Sequence, residues 1–291
     1  MAAPFVFVMG AGVVGTALAA RFLRASVPLL GLHGRQTGLS DEARAASGVV
    51  ASEGEIPDVL SAADVVVVAV RDERIPEVAR RLVDEKRLRS HQVLLHTSGA
   101  HAAASVLAAA RPHVRGVGTL HPLMSFADAR LAIDGVPQLA FGVEGDEPAR
   151  AAAEQLVGAL GGRAVVLDAA GLPLYHAGAV LASNYVVAMV DAARRLFVAA
   201  GVPEGEALPA LVPLLWSVLQ NLVALGLPDA LTGPVERGDV STVEAHLRGL
   251  ASRAPELVDL YRVAGRDVLR LAHAKLEPDV VARLAALFES R

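Results

Sequence analysis

The chain has no cysteine in its 291 residues. That excludes disulfides, thiolate metal ligands and a cysteine nucleophile, and it is compatible with a cytoplasmic location. Lysine is nearly absent as well: only Lys86 and Lys275 occur, so a mechanism needing a lysine general acid in the C-terminal half has almost nothing to draw on. There is no basic excess either. The formal net charge of −4 leaves no electrostatic footprint for nucleic acid. No uninterrupted apolar run reaches about 18 residues, and no basic segment precedes the first apolar run, so neither a membrane span nor a secretory signal is expected. What is present, 53% hydrophobic and 20% charged residues, suits a globular protein long enough for two domains with sizeable cores.

The most informative segment is the apolar run Phe5 to Met9, which breaks on Gly10, Ala11, Gly12, Val13, Val14 and Gly15 into a helix-forming stretch through Arg21. This is the pattern of a dinucleotide-binding turn. Gly10 permits a tight exit from the strand, Gly12 lets a pyrophosphate approach the backbone, and Gly15 allows the helix to pack closely on the strand. The pyrophosphate would then rest on the free N–H groups at the helix N-terminus. A fold that prefers NAD usually ends its second strand in Asp or Glu, which binds the ribose 2′-hydroxyl. Here the strand candidate Leu29 to Leu32 runs into His33, Gly34, Arg35, Gln36 and Thr37, with no acid. A guanidinium in place of a carboxylate accepts a 2′-phosphate, so NADP(H) is the expected cofactor.

Strand-like and helix-like segments alternate over residues 1–167. Apolar strands are expected at 65–70, 93–96, 114–120, 139–143 and 164–167, with helices at 75–83 and 147–160. The composition shifts at Asp168 to Pro173. Beyond it, helical spacing covers 174–200, 206–225, 240–251, 256–273 and 278–288. The expected fold class is α/β: an N-terminal Rossmann domain with a doubly wound parallel sheet (1–167), then an all-α domain (168–291). The cleft between them is the default substrate site.

Polar clusters fall where strands should end, and strand carboxyl ends face the ligand in this architecture. They are Val70-Arg71-Asp72, His96-Thr97-Ser98-Gly99 and His121-Pro122. Two more lie in the helical half. Tyr175 and His176 share a helical stretch with Ser183 and Asn184, which the spacing puts near one face. Arg237, in the Gly- and Pro-rich segment Thr232 to Asp239, suits recognition of a substrate carboxylate.

The glycine turn, Ala63-Asp64, Val70 to Asp72, His96 to Ala100, Leu120 to Leu123 with Phe126, Tyr175 to Ala177 with Ser183 to Tyr185, and Thr232 to Pro234 with Arg237 to Asp239 together form a pattern. It resembles a bacterial family of Rossmann-like oxidoreductases of unsettled reaction, whose C-terminal half is a helical domain of unknown function. The resemblance implies kinship in fold with pyrroline-5-carboxylate reductase, prephenate dehydrogenase and ketopantoate reductase. It also implies a C-terminal domain like that of 6-phosphogluconate dehydrogenase. His121-Pro122-Leu123 is similar to a His-Pro-Met segment of prephenate dehydrogenases. Asn184 matches an Asn that in related dehydrogenases follows a catalytic Lys by one turn, but here Val180 stands in the Lys position.

The expectation is a cytoplasmic NADP(H)-dependent oxidoreductase that moves a hydride to or from a small, anionic carbonyl, imine or hydroxy compound. Ser98 and Asn184 hold the reacting atom, His176 or His121 supplies the proton, and Arg237, Tyr175 and Thr97 bind substrate. The cofactor is bound by residues 10–15, His33, Gly34, Arg35, Val70, Arg71, Asp72 and Thr97. No metal site is expected. A homodimer formed through the helical domain is expected, with no nucleic acid or membrane partner. Two alternatives fit the same residues: a non-catalytic NADP-binding sensor or assembly protein, and a deazaflavin-dependent NADP oxidoreductase.

Overall fold

The computed structural model describes residues 3–35, 41–134 and 138–289. In the first half the elements are β1 (Val6–Met9), α1 (Val13–Arg24), β2 (Leu29–His33), α2 (Asp41–Ser47), β3 (Val65–Val68), α3 (Ile75–Asp84), β4 (Val93–His96) and α4 (Ala103–Val106). They continue with β5 (Gly116–Pro122), α5 (Ala129–Asp134), β6 (Ala140–Gly145), α6 (Glu147–Ala159) and β7 (Arg163–Val166). The seven strands form one sheet in the order β2-β1-β3-β4-β5-β6-β7. The chain passes from β1 to β2 on one side and then returns to β3 on the other, so the order reverses between β1 and β3. A crevice outside the carboxyl ends of strands at such a point is where ligands bind in open α/β sheets.

The valine run of β3 shows why the strands read as continuous apolar segments. Val65 and Val67 face the layer containing Leu18 and Phe22 of α1 and Leu156 of α6. Val66 and Val68 face the opposite layer, with Ile75, Ala79 and Leu82 of α3. A strand covered on both faces has no polar positions to alternate with.

The sheet is mostly, but not wholly, parallel: β6 runs antiparallel to β5, and β7 follows β6 in parallel. After β5 the chain turns back over α1, where Ala132 and Ile133 of α5 pack on Ala17 and Ala20 and Arg21 Nε donates to Ala132 O at 2.9 Å. It re-enters the sheet at the end it left, with Leu123 N donating to Ala140 O at 2.9 Å. A crossover to the far end, which a parallel strand requires, is not made.

The second half is helical: α7 (Leu172–Leu181), α8 (Asn184–Ala199), α9 (Glu204–Leu225), α10 (Val240–Arg253), α11 (Val258–Ala272) and α12 (Pro278–Glu289). The stretch expected as one helix over 174–200 is broken between Leu181 and Asn184. Ser183 Oγ bonds back to Ala179 O at 2.6 Å and its N–H bonds to Val180 O, three residues back, so the regular ladder stops there. By compactness the chain divides after Ser183, which leaves α7 with the sheet.

In the unit Asn184–Arg291, Val243, Leu247, Leu269, Leu284 and Phe288 form a core between α10, α11 and α12. Gly265 lets the Phe288 ring lie against α11, since a Cβ there would stand 2.4 Å from a ring carbon. Ala192 of α8 joins Leu250 and Leu257 in a smaller cluster. Helix α9 is long and apolar enough to cross a bilayer by length and composition, although Gln220 and Asn221 interrupt its apolar run.

Candidate functional site

The turn after β1 is held by two glycines and opened by a third. Gly10 sits at φ +113°, and a Cβ there would stand 2.2 Å from Ala69 O. A Cβ on Gly15 would stand 1.8 Å from Gly10 O, so these two positions are fixed by the fold itself. Gly12 is different. Its φ of −77° suits any residue, and a Cβ there would meet nothing within 4 Å. It borders an open groove of about 750 Å³ lined by residues 10–14, Gly34, Arg35, Ala69, Val70, Arg71, Asp72, Arg74, Val78 and Thr97. Helix α1 starts at this groove with no side-chain cap and no acid in its first turn, which leaves its N-terminal field open to an anion.

Of the residues expected to bind the cofactor, the groove gathers all but Gly15 and His33. Gly15 is buried against Gly10. His33 is buried too, with Nδ1 3.0 Å from Ser52 Oγ, and it lines an adjoining cavity of about 360 Å³ instead. That cavity holds what the sequence did not suggest: Arg74 and Arg81 join Arg35 there, opposed by Glu53. Gln36 and Thr37 lie outside the described residues.

At the ends of β3 and β4, Ser98 Oγ donates to Asp72 Oδ2 at 2.7 Å and accepts from Ala100 N at 3.3 Å. The hydroxyl hydrogen expected to hold a substrate atom is thus already given to Asp72. Beneath it runs a buried chain. Ser98 N donates to His96 Nδ1 at 3.1 Å, and His96 Nε2 lies 3.1 Å from Thr119 Oγ1. Thr119 Oγ1 in turn donates to Glu144 Oε2 at 3.2 Å, which also accepts from Ala103 N at 3.0 Å. Because Nδ1 of His96 accepts, its hydrogen is on Nε2.

Burial pulls the His96 pKa down to about 4, with Asp72 opposing. A histidine kept neutral in the fold but free to protonate at 6.5 when unfolded makes the unfolded state bind more protons between those values. Stability is therefore expected to fall as pH drops from about 6.5 to about 4. Urea unfolding at pH 7 and pH 5 checks this, and His96→Gln should reduce the difference, His121, which burial also pulls down to about 4, contributing to the remainder. Asp239, held near 2 chiefly by hydrogen bonds from Thr242, acts only below that window.

The end of β5 meets α7. His121 Nδ1 lies 2.8 Å from Tyr175 Oη, and the two rings stand almost perpendicular at 84°. The His176 ring is edge-on to His121 with centroids 6.0 Å apart, and its Nδ1 is buried without a hydrogen-bond partner among the described residues. Burial, then the neighbouring His176, pulls His121 down to about 4, and burial pushes Tyr175 up to about 12.

Residues 3–125 match the family model of a Rossmann-like domain, and residues 139–268 match that of a domain of unknown function, DUF2520. The chain carries a Rossmann-like domain followed by a DUF2520 domain. No curated protein matches the sequence. Among solved structures, a Thermotoga maritima protein is similar at 23% identity, with 93% of this chain and 99% of that one covered and a TM-score of 0.70. A Bacteroides fragilis protein named as a candidate NADP oxidoreductase is 22% identical over 92% and 98% of the two chains, with a TM-score of 0.67. Plasmodium falciparum pyrroline carboxylate reductase with NADP bound is 12% identical over 99% and 100%, with a TM-score of 0.61. At these identities the likeness is one of fold.

The DUF2520 match takes in Tyr175, His176, Asn184 and Arg237 together. Of these, the structure brings Tyr175 and His176 to His121. Asn184 opens α8, on a different helix from His176, so the expectation of one shared helix face does not hold. Arg237 is exposed in the loop before α10. Its neighbour Asp239 caps that helix, accepting from Thr242 N at 3.0 Å and Ser241 Oγ at 2.9 Å.

Proposed function

We propose that the protein is an NADP(H)-dependent oxidoreductase acting on a small, anionic carbonyl, imine or hydroxy compound in the cytoplasm. The observation that carries this reading is Gly12: the fold gives no internal reason for a glycine there, whereas a pyrophosphate seated on α1 does. The fold neighbours support it, since one is a reductase with NADP bound. The donor set fits the group. The α1 N-terminus takes the pyrophosphate, and Arg35 with Arg74 and Arg81 takes a 2′-phosphate. When bound, the nicotinamide supplies or accepts the hydride.

The chain's own residues orient the partner molecule and handle the proton. Asp72, held by Ser98, and Thr97 border the groove at the strand ends. His121 and His176 are the candidates for donating a proton to, or taking one from, the reacting oxygen or nitrogen. Asn184 is assigned to hold that atom, and Arg237 to bind a substrate carboxylate. We further propose that the chain acts as a homodimer built on the unit Asn184–Arg291.

Calorimetric titration with NADPH tests the reading, followed by a screen of carbonyl and imine compounds that monitors NADPH oxidation. Gly12→Ala is expected to cost about 1 kcal/mol of cofactor binding, roughly fivefold in Kd, because the methyl group occupies the pyrophosphate's place. Its thermal melting should match that of the parent protein. Equal binding by parent and variant would remove the observation on which the reading rests.

A further inference from the structure

We propose that Tyr175 is a positioning residue. It holds His121 as the neutral tautomer with hydrogen on Nε2, so that Nε2–H is the hydrogen bond offered to the substrate's carbonyl oxygen or imine nitrogen. The role toward substrate rests on the oxidoreductase reading; the tautomer does not.

The pair occupies space that two glycines create. Gly142 pairs with His121 across the β5–β6 ladder, and a Cβ on it would stand 2.4 Å from Tyr175 Oη. A Cβ on Gly99 would stand 2.7 Å from both Cε1 and Nδ1 of His121. Any side chain at either position would displace a ring, so the sheet is shaped for these two groups.

The direction of the 2.8 Å bond follows from acidity. A phenol O–H is a stronger acid than an imidazole N–H, and an imidazole nitrogen is a stronger base than a phenol oxygen. Tyr175 therefore donates and Nδ1 accepts. Burial keeps the ring uncharged, so its single hydrogen is on Nε2. His176 is not fixed in this way, because no protein group meets its buried Nδ1 among the described residues. A buried nitrogen without a partner is costly unless something outside the chain satisfies it, and a ligand's polar atom beside His121 would do so. A clamp fastening α7 to the sheet would place the same ring contacts, but it would not depend on which nitrogen carries the hydrogen.

Two-bond ¹H–¹⁵N correlation of the imidazoles in the full, ¹⁵N-labelled chain at pH 7 tests this without cofactor or substrate. The expected result is a protonated Nε2 and an unprotonated, hydrogen-bonded Nδ1 for His121. In Tyr175→Phe the Nδ1 resonance should shift while the signals of His96, in its own buried network, stay in place and report an intact fold. A hydrogen on Nδ1 in the parent protein overturns the proposal, as does an Nδ1 resonance unmoved by Tyr175→Phe. If the variant does not fold, the parent tautomer alone decides. The outcome stands whether or not NADPH binding is found in its own titration, so failure of the tautomer and failure of the oxidoreductase reading are separable.

Discussion

NADPH is expected to bind at least tenfold more tightly than NADH, a difference of about 1.4 kcal/mol. Strand β2 ends on His33 rather than an acid, so the strand end itself presents no carboxylate to a 2′-phosphate. Three guanidinium groups, those of Arg35, Arg74 and Arg81, line the adjoining cavity against one carboxylate, that of Glu53. Arg74 and Arg81 also face their own helix, with Arg74 Nε 2.6 Å from Glu77 and Arg81 Nε 2.6 Å from Glu85. Arg35 is exposed, so its contribution should shrink as salt rises. Arg35→Ala is expected to remove most of the NADPH preference while leaving NADH affinity almost unchanged. Calorimetry with both cofactors at two salt concentrations measures this. Equal affinities in the parent protein, or an unaltered preference in Arg35→Ala, would refute the assignment.

Sedimentation of the intact protein at micromolar concentration is expected to give twice the chain mass of 30.1 kDa. Helices α8 and α9 expose many large apolar side chains. Val187 is 71% exposed, Trp216 63% and Val223 90%, with Tyr185, Leu214 and Leu219 also exposed beside them on the same two helices. Patches of this kind mark association surfaces, and a second copy is the commonest closed arrangement. A charge placed in such a surface must be desolvated without a partner. Leu219→Asp is therefore expected to weaken association by about 3 to 5 kcal/mol, two to three orders of magnitude or more in Kd. A parent protein that sediments as a monomer would refute the proposal.

The sheet was legible because burial on both faces leaves a mark in every residue of a strand, as in Val65 to Val68. Strand direction leaves no such mark. A run such as Ala140 to Gly145 has the same alternation read either way, so the reversal of β6 was not foreseen. The break between α7 and α8 depends on one Ser183 hydroxyl choosing a backbone oxygen, and apolar spacing continues across it. The short helices α2, α4 and α5 are too brief for periodicity to register. The groove was legible because each glycine of the turn has a separate backbone task. His121 and Tyr175 are 54 residues apart, and their pairing follows from the fold rather than from local pattern. Arg74 and Arg81 carry a local signal: Arg74 immediately precedes α3 and Arg81 follows it by seven residues, about two turns, after a strand whose carboxyl end faces the groove.

Helix α9 also bears on the order of events during synthesis. It leaves the ribosome before α10, α11 and α12, whose side chains form the main core of its unit. In the finished chain, as during synthesis, this 22-residue helix, with Trp216 and ten Leu and Val side chains, makes its main contacts with α8. Encounters between nascent chains then compete with completion of the fold, and the outcome depends on the rate of translation and the local concentration of chains.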